Sequence, residues 1–375
     1  MKVDQEIWGA GVASPRSELE PSQLVFALGA PALLRDPELW RELRGRHPTA
    51  RILAGSTAGE IAGTRVLDDS VVVTSISFQA TNVRCAAVAI DDAGSSERAG
   101  AQLAGELLAS DLRHVFVLSD GLKVNGSELV RGLSAQLPTA VALTGGLCGD
   151  GARFERTHVC LDEFADGGRV AAVGFYGSAL KVGLGSLGGW DTFGPERRVT
   201  RSVGNVVYEL DELPALDLYE QYLGDHARDL PASGLLFPLT VRESLDARGV
   251  VRTILAVDRE ARSLTFAGDV PQGHYASLMR ANFDRLVEGA EGAARVCREA
   301  VPSQTAELAM LISCVGRKLV LKQRVEEEVE GVRGVLGPSP VLAGFYSYGE
   351  ISPFTPSARC ELHNQTMTIT TFSES

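Results

Sequence analysis

Apolar residues occur along the chain either at helical spacing or in short continuous runs, and the switches between the two lay out its elements. Ala99, Leu103, Ala104, Leu107 and Leu108 form a stripe that predicts a helix over 97–109, and Leu129, Val130, Leu133 and Leu137 predict another over 126–137. The longest stripe, Met279, Phe283, Leu286, Ala290, Ala293 and Cys297, predicts a helix from about Tyr275 to Ala300. Asp36-Pro37-Glu38 supplies an N-cap, a proline at the first helical position and an acid in the first turn, opening a short helix through about Arg46. Between these lie runs too short for helices and rich in Val, Ile and Thr, at 71–78, 83–90, 114–118, 170–176, 308–313 and 365–372. They predict strands.

Three short apolar runs end in related loops. Ala343-Gly344-Phe345-Tyr346-Ser347-Tyr348-Gly349-Glu350-Ile351 has a shorter copy in Ala54-Gly55-Ser56-Thr57-Ala58-Gly59-Glu60-Ile61 and a looser one in Thr144-Gly145-Gly146-Leu147-Cys148-Gly149-Asp150. One strand-to-loop design is thus used three times. Strand 83–90, helix, strand 114–118, helix, strand 140–143 and loop matches strand 263–267, helix, strand 308–313, helix 317–333, strand 340–343 and loop. Ser119 to Gly145 is 26 residues and Ser313 to Gly344 is 31, enough for one crossover helix each. The expected architecture is α/β, with mixed β-sheets flanked by helices and built from repeated βαβ-type units in two related halves. A boundary between Val203 and Asp217, where a Gly-rich stretch gives way to a helix start, divides the chain into 1–205 and 206–375. The first copy departs from the scheme, because Ala13 to Gln23, between strands Ile7–Val12 and Leu24–Leu28, is too short and broken for a crossover helix.

Composition narrows the partners. The 375 residues are 45% hydrophobic and 22% charged, as in a soluble globular protein, and the net charge of -12 disfavours nucleic acid and anionic membrane. There is no apolar run of about 18 residues to span a bilayer and no basic n-region before an apolar stretch to act as a secretory signal. The six cysteines are scattered without a C-x-x-C pair, so a reduced, cytoplasmic setting is expected.

The loops sit where ligands bind in α/β sheets, at the C-terminal ends of strands. Glycines such as Gly55, Gly145 and Gly146 permit positive φ and close approach, so amide N–H groups, with Ser56 and Thr57, suit a carboxylate or phosphate while Glu60, Asp150 or Glu350 suits an ammonium. The alternative is tight turns whose acids cap neighbouring N–H groups. Ser119-Asp120-Gly121 adds a hydroxyl and a carboxylate to the same edge, or simply turns the chain. Cys314 ends a strand just before a helix, which suits either an activated thiol or a small buried hydrophobe. Arg317 suits a bidentate ligand clamp or a salt bridge to the acids of 326–330, a segment otherwise expected to form a solvated face. Tyr346 and Tyr348 share strand parity, offering a flat wall with hydroxyl tips or simply core aromatics.

Ser313-Cys314-Val315-Gly316-Arg317, the acids Glu326-Glu327-Glu328, GFYSYGEISP and Leu362-His363-Asn364-Gln365-Thr366-Met367-Thr368 together resemble the C-terminal half of the FIST family. GSTAGEI, Ser119-Asp120-Gly121, GGLCGDG and Tyr208-Glu209-Leu210 leading into Pro214-Ala215-Leu216-Asp217-Leu218-Tyr219 are similar to its N-terminal half, so 1–205 and 206–375 resemble FIST N and FIST C domains. The resemblance implies a prokaryotic sensory protein that binds a small ligand, an amino acid or similar metabolite, and passes the state to a separate signalling protein such as a histidine kinase. Some members are haem-based nitric-oxide sensors, for which His363 is the candidate axial ligand; His114, His158 and His274 are further candidates, and without C-x-x-C-H the haem would not be covalent. No catalytic residue is expected, the alternatives being an enzyme using Cys314 as nucleophile and a scaffold that recognises only protein.

Overall fold

A computed structural model of the chain describes residues 1–9, 21–301, 305–354 and 358–375. Ala13 to Glu20, most of the stretch expected to lack a crossover helix, lies outside the described residues.

Each loop copy belongs to its own sheet, and the three sheets repeat one plan. The first runs Lys2–Gly9, Ser70–Ser77, Leu24–Gly29, Arg51–Ser56; the second Asn82–Ala89, Arg169–Tyr176, Leu112–Ser119, Ala142–Leu147; the third Leu180–Leu187, Met367–Glu374, Leu308–Cys314, Val341–Ser347. In each the last two strands are parallel and the others antiparallel. The α/β class and the mixed sheets are as expected, but the same strand order occurs in three sheets, one for each loop copy, and not in two related halves. Helices Pro37–Arg46, Gly126–Gln136 and Val325–Leu336 lie in the crossovers between the parallel strands. The first two start where the caps dictate: the Asp36 carboxylate accepts the Glu38 N–H at 2.9 Å, and the Asn125 side-chain oxygen Oδ1 accepts the Ser127 and Glu128 N–H groups.

After its loop, each unit sends the chain into a neighbouring sheet. Glu60–Ala62 leaves the first unit and pairs with Val341–Ser347 of the third, Gly349–Pro353 leaves the third and pairs with Ala142–Leu147 of the second, and Val159–Leu161 leaves the second and pairs with Arg51–Ser56 of the first. The exchange is cyclic and fixes the three loops against one another. Alternate residues of the parallel strands, Leu24, Phe26, Leu28, Phe116, Leu118, Leu308, Met310 and Ile312, face one shared core. Phe26 and Phe116 meet edge-on there at 5.2 Å, a geometry that contributes about 1 kcal/mol beyond burial.

Residues 190–281 form a further sheet inserted between the third unit's first strand and its helix Phe283–Ala300. Two expectations are corrected here. The strand equivalent to 83–90 is Leu180–Leu187, whereas Ser263–Phe266 belongs to the insert. Tyr275–Ala281 is a strand, so Met279 lies outside the helix, which buries Leu286, Ala290, Ala293 and Cys297 of the expected stripe but leaves Phe283, at its first position, exposed. Among the described residues no helix is long and apolar enough to cross a membrane.

Candidate functional site

The three loops close into a ring of backbone hydrogen bonds. The Ala58 N–H donates to Tyr346 O at 2.8 Å, Tyr348 N–H to Leu147 O at 3.0 Å, and Gly149 N–H to Ser56 O at 3.0 Å. Pairing registers make Ala54, Gly145 and Gly344 equivalent, so the first copy aligns from its acid rather than from its Gly pair. At Gly145 a Cβ would lie 2.0 Å from Val117 O, and at Gly344 1.8 Å from Leu311 O. Gly55 and Gly146 sit one residue on, where a Cβ would press on Cys148 and on Ile312 and Phe345. The loops pack directly against one another, for a Cβ at Gly149 would lie 3.1 Å from both Ala58 and Tyr348.

Two of the loop acids are true equivalents. Glu60 accepts from the Thr57 hydroxyl and from Ser70 Oγ at 2.7 Å; Glu350 accepts from Ser347 Oγ at 2.7 Å and from the Thr366 N–H and hydroxyl at 3.1 and 2.8 Å. Both are buried, and burial, only partly offset by these hydroxyls, raises each pKa to about 7. Their counterpart in the second unit is Val159. Asp150 instead accepts the N–H groups of Phe154, Glu155 and Arg156 at 2.8–2.9 Å and the Tyr348 hydroxyl. Burial works against its charge, but the Tyr348 and amide donors outweigh that and hold its pKa low.

The remaining sequence candidates are buried with their polar atoms engaged inside the protein. Ser56 Oγ accepts the His158 N–H, Ser119 Oγ donates to Asp120 O, and Asp120 accepts from the N–H groups of Leu122, Lys123 and Gly168. Arg317 is fully buried and pairs with Glu328, the salt-bridge alternative, at 3.0 Å through Nε and 2.7 Å through Nη2. Its other donors reach Gly188 O and Leu286 O, and Glu328 also accepts from Ser313 Oγ and from Tyr346 Oη at 2.6 Å. The expected solvated face of 326–330 is therefore corrected at Glu328, which is buried. Cys314 is 1% exposed, and burial pushes its thiol pKa up, away from the thiolate.

Haem does not fit the surroundings of His363. Its imidazole is buried, Nε2 is taken up in donating to Ser352 O at 2.7 Å, Nδ1 is enclosed without a partner, and the Phe354 ring packs edge-on 4.0 Å away; burial lowers its pKa to about 3. His114, equally buried, contacts Thr144 Oγ1, Phe175 and Phe372.

Three residues at the rim escaped sequence reasoning. Lys318 Nζ donates to Ala58 O at 2.9 Å, pairs with the exposed carboxylate of Asp68 and lies 5.7 Å from the Tyr346 ring, passing over Gly59, where a Cβ would lie 2.4 Å from Nζ. Phe154 stacks on Tyr348 at 4.4 Å with the rings 15° apart. No spacing in the sequence announces either contact, since Lys318 and Phe154 meet the loops only through the fold. A cleft of about 690 Å³ lies at the opposite strand ends, lined by residues including Val3, Glu307, Val341 and Glu374.

The FIST N domain family matches residues 23–213 and the FIST C domain family residues 215–353. No curated protein matches the chain. Among solved structures, a chorismatase crystal structure at 1.08 Å resolution has a TM-score of 0.36 and 10% identity, covering 99% of this chain and 98% of that one. A cyanuric acid hydrolase from A. caulinodans has a TM-score of 0.18 and 10% identity, covering 78% and 99%. With both families matching in order over most of its length, the chain belongs to the FIST family of small-ligand sensory domains.

Proposed function

We propose that the chain senses an amino acid or a similar small zwitterionic metabolite at the rim of the three-loop ring and signals to a separate protein, such as a histidine kinase. The observation that carries this reading is the placement of opposite charges beside the ring: the Lys318 ammonium, 16% exposed, and the Asp68 carboxylate, 66% exposed. A zwitterion inserted between them trades one ion pair for two. Binding rather than covalent chemistry is supported by the buried Cys314 thiol and by carboxylates already engaged with hydroxyls. The ring also has a route outward. Thr366 binds Glu350, while the adjoining Gln365 donates to Leu235 O and Thr253 Oγ1 of the inserted sheet region and accepts the Trp190 indole N–H at its carbonyl.

Thermal unfolding with a panel of amino acids tests this. A ligand at 100 times its Kd stabilises by about 2.7 kcal/mol, a readily measured rise in Tm, and Lys318→Met should abolish that rise. If no amino acid or small carboxylate at millimolar concentration shifts Tm, the reading is wrong.

A further inference from the structure

We infer that the ligand is an amino acid with an aromatic side chain, and that Phe154 is its internal stand-in, stacked on Tyr348 where the ligand's ring would lie. This rests on reading the rim as an amino-acid site. Residues 151–156 form a strap against the ring, held chiefly to Tyr348 and to the Asp150 carboxylate. The Phe154 ring lies flat on Tyr348 at 4.4 Å, and Asp150, which accepts the N–H groups of Phe154, Glu155 and Arg156, also accepts the Tyr348 hydroxyl. The chain thus presents a phenyl ring and a carboxylate of its own to one tyrosine.

The strap is held in a conformation that side chains other than glycine rarely adopt, with Phe154 at φ +54° after Gly151 at φ +77°. Arg153, Glu155 and Arg156, on either side of Phe154, are exposed. Lifting the strap uncovers the Tyr348 face and releases Asp150 from three amides. Lys318 stands close by, bonded to Ala58 O, and Ala58 and Tyr348 both lie against Gly149. An aromatic amino acid satisfies all three groups, with its ring on Tyr348, its carboxylate on Lys318 and its ammonium on Asp150, which in the lifted state takes the ammonium that Asp68 would receive with the strap in place. An aliphatic side chain would displace a stacked ring without restoring the stack. An anion without an ammonium would face Asp150 unneutralised.

Calorimetry with L-phenylalanine and L-leucine on the wild type, Phe154→Leu and Tyr348→Leu tests the inference. The wild type should bind L-phenylalanine about 3- to 10-fold more tightly than L-leucine, and Tyr348→Leu should remove that preference. Phe154→Leu, which weakens the internal competitor at a partly exposed position, should tighten L-phenylalanine binding several-fold. In the wild type, L-phenylalanine should also speed hydrogen exchange at the Phe154, Glu155 and Arg156 amides. Equal affinities for the two amino acids, or amides equally or better protected with ligand bound, would overturn the stand-in and leave the amino-acid reading intact. Binding of neither these nor any other amino acid would overturn both.

Discussion

Glu60 and Glu350 keep their protons in the folded protein up to about pH 7, whereas in the unfolded chain they release them near 4.5. Between those values the folded state binds more protons, so these two residues make stability fall as pH rises, by about 3 kcal/mol each. His114 and His363 act oppositely: burial lowers each from 6.5 to about 3, so the unfolded chain binds more protons and stability falls as pH drops through that window. Burial lowers His47 and His158 in the same direction, adding to the histidine side. The opposing groups partly cancel in the wild type, and a single substitution exposes one of them. In urea melts, Glu350→Gln should gain stability relative to the wild type by about 3 kcal/mol more at pH 7.5 than at pH 4.5. A difference independent of pH would refute the assignment. The buried Arg317–Glu328 pair behaves differently, because its partner groups remain when one member is lost. Glu328→Ala leaves a guanidinium, the Ser313 hydroxyl and the Tyr346 phenol without their carboxylate, and should cost about 3–5 kcal/mol in guanidinium denaturation.

At the scale of elements, the local signals were legible and their partners were not. Short apolar runs at 114–118 and 308–313 and the capped helix at Pro37 are read from contiguous residues, and they lie where the pattern places them. The exchange strands carry no such signal. Glu60–Ala62 is only three residues long, and Ile61 pairs with Gly344, far along the chain. The burial of Glu328 was hidden for a related reason, since three successive acids on a helix read as solvated and the partner Arg317 sits on a different helix. Met279 and Phe283 fall at helical spacing across a strand-to-helix junction, which merged Tyr275–Ala281 with the helix that follows. The glycine positions test the register by which the three elements were equated. Gly145→Ala or Gly344→Ala places a methyl on the neighbouring strand's carbonyl, at positive φ, and should cost about 3 kcal/mol or more; Gly55→Ala, which presses on the side chains of Cys148 and Leu118, should cost less. Chemical denaturation of the three variants decides it, and equal costs would refute the alignment.

For the whole molecule, cyclic exchange means that no unit completes its sheet with its own strands. A division into 1–205 and 206–375 cuts through this arrangement in three places. Leu180–Leu187 loses its antiparallel partner Met367–Glu374, Glu60–Ala62 loses Val341–Ser347, and Ala142–Leu147 loses Gly349–Pro353. The shared core is divided as well, with Phe26, Phe116 and Phe175 on one fragment and Met310, Phe345 and Phe372 on the other. Each fragment alone would expose unpaired strand edges and half of an apolar core, a combination that favours aggregation over folding. Expressed separately, neither 1–205 nor 206–375 should give dispersed near-UV circular dichroism or a cooperative melt. Expressed together, they should co-purify as a one-to-one complex that melts in a single transition, because every exchanged strand then finds its partner without a covalent link. A cooperative melt of 1–205 alone would mean that the strands it receives from the rest of the chain add little to its folding, and the sensory ring would then have to be assembled from two independently stable parts.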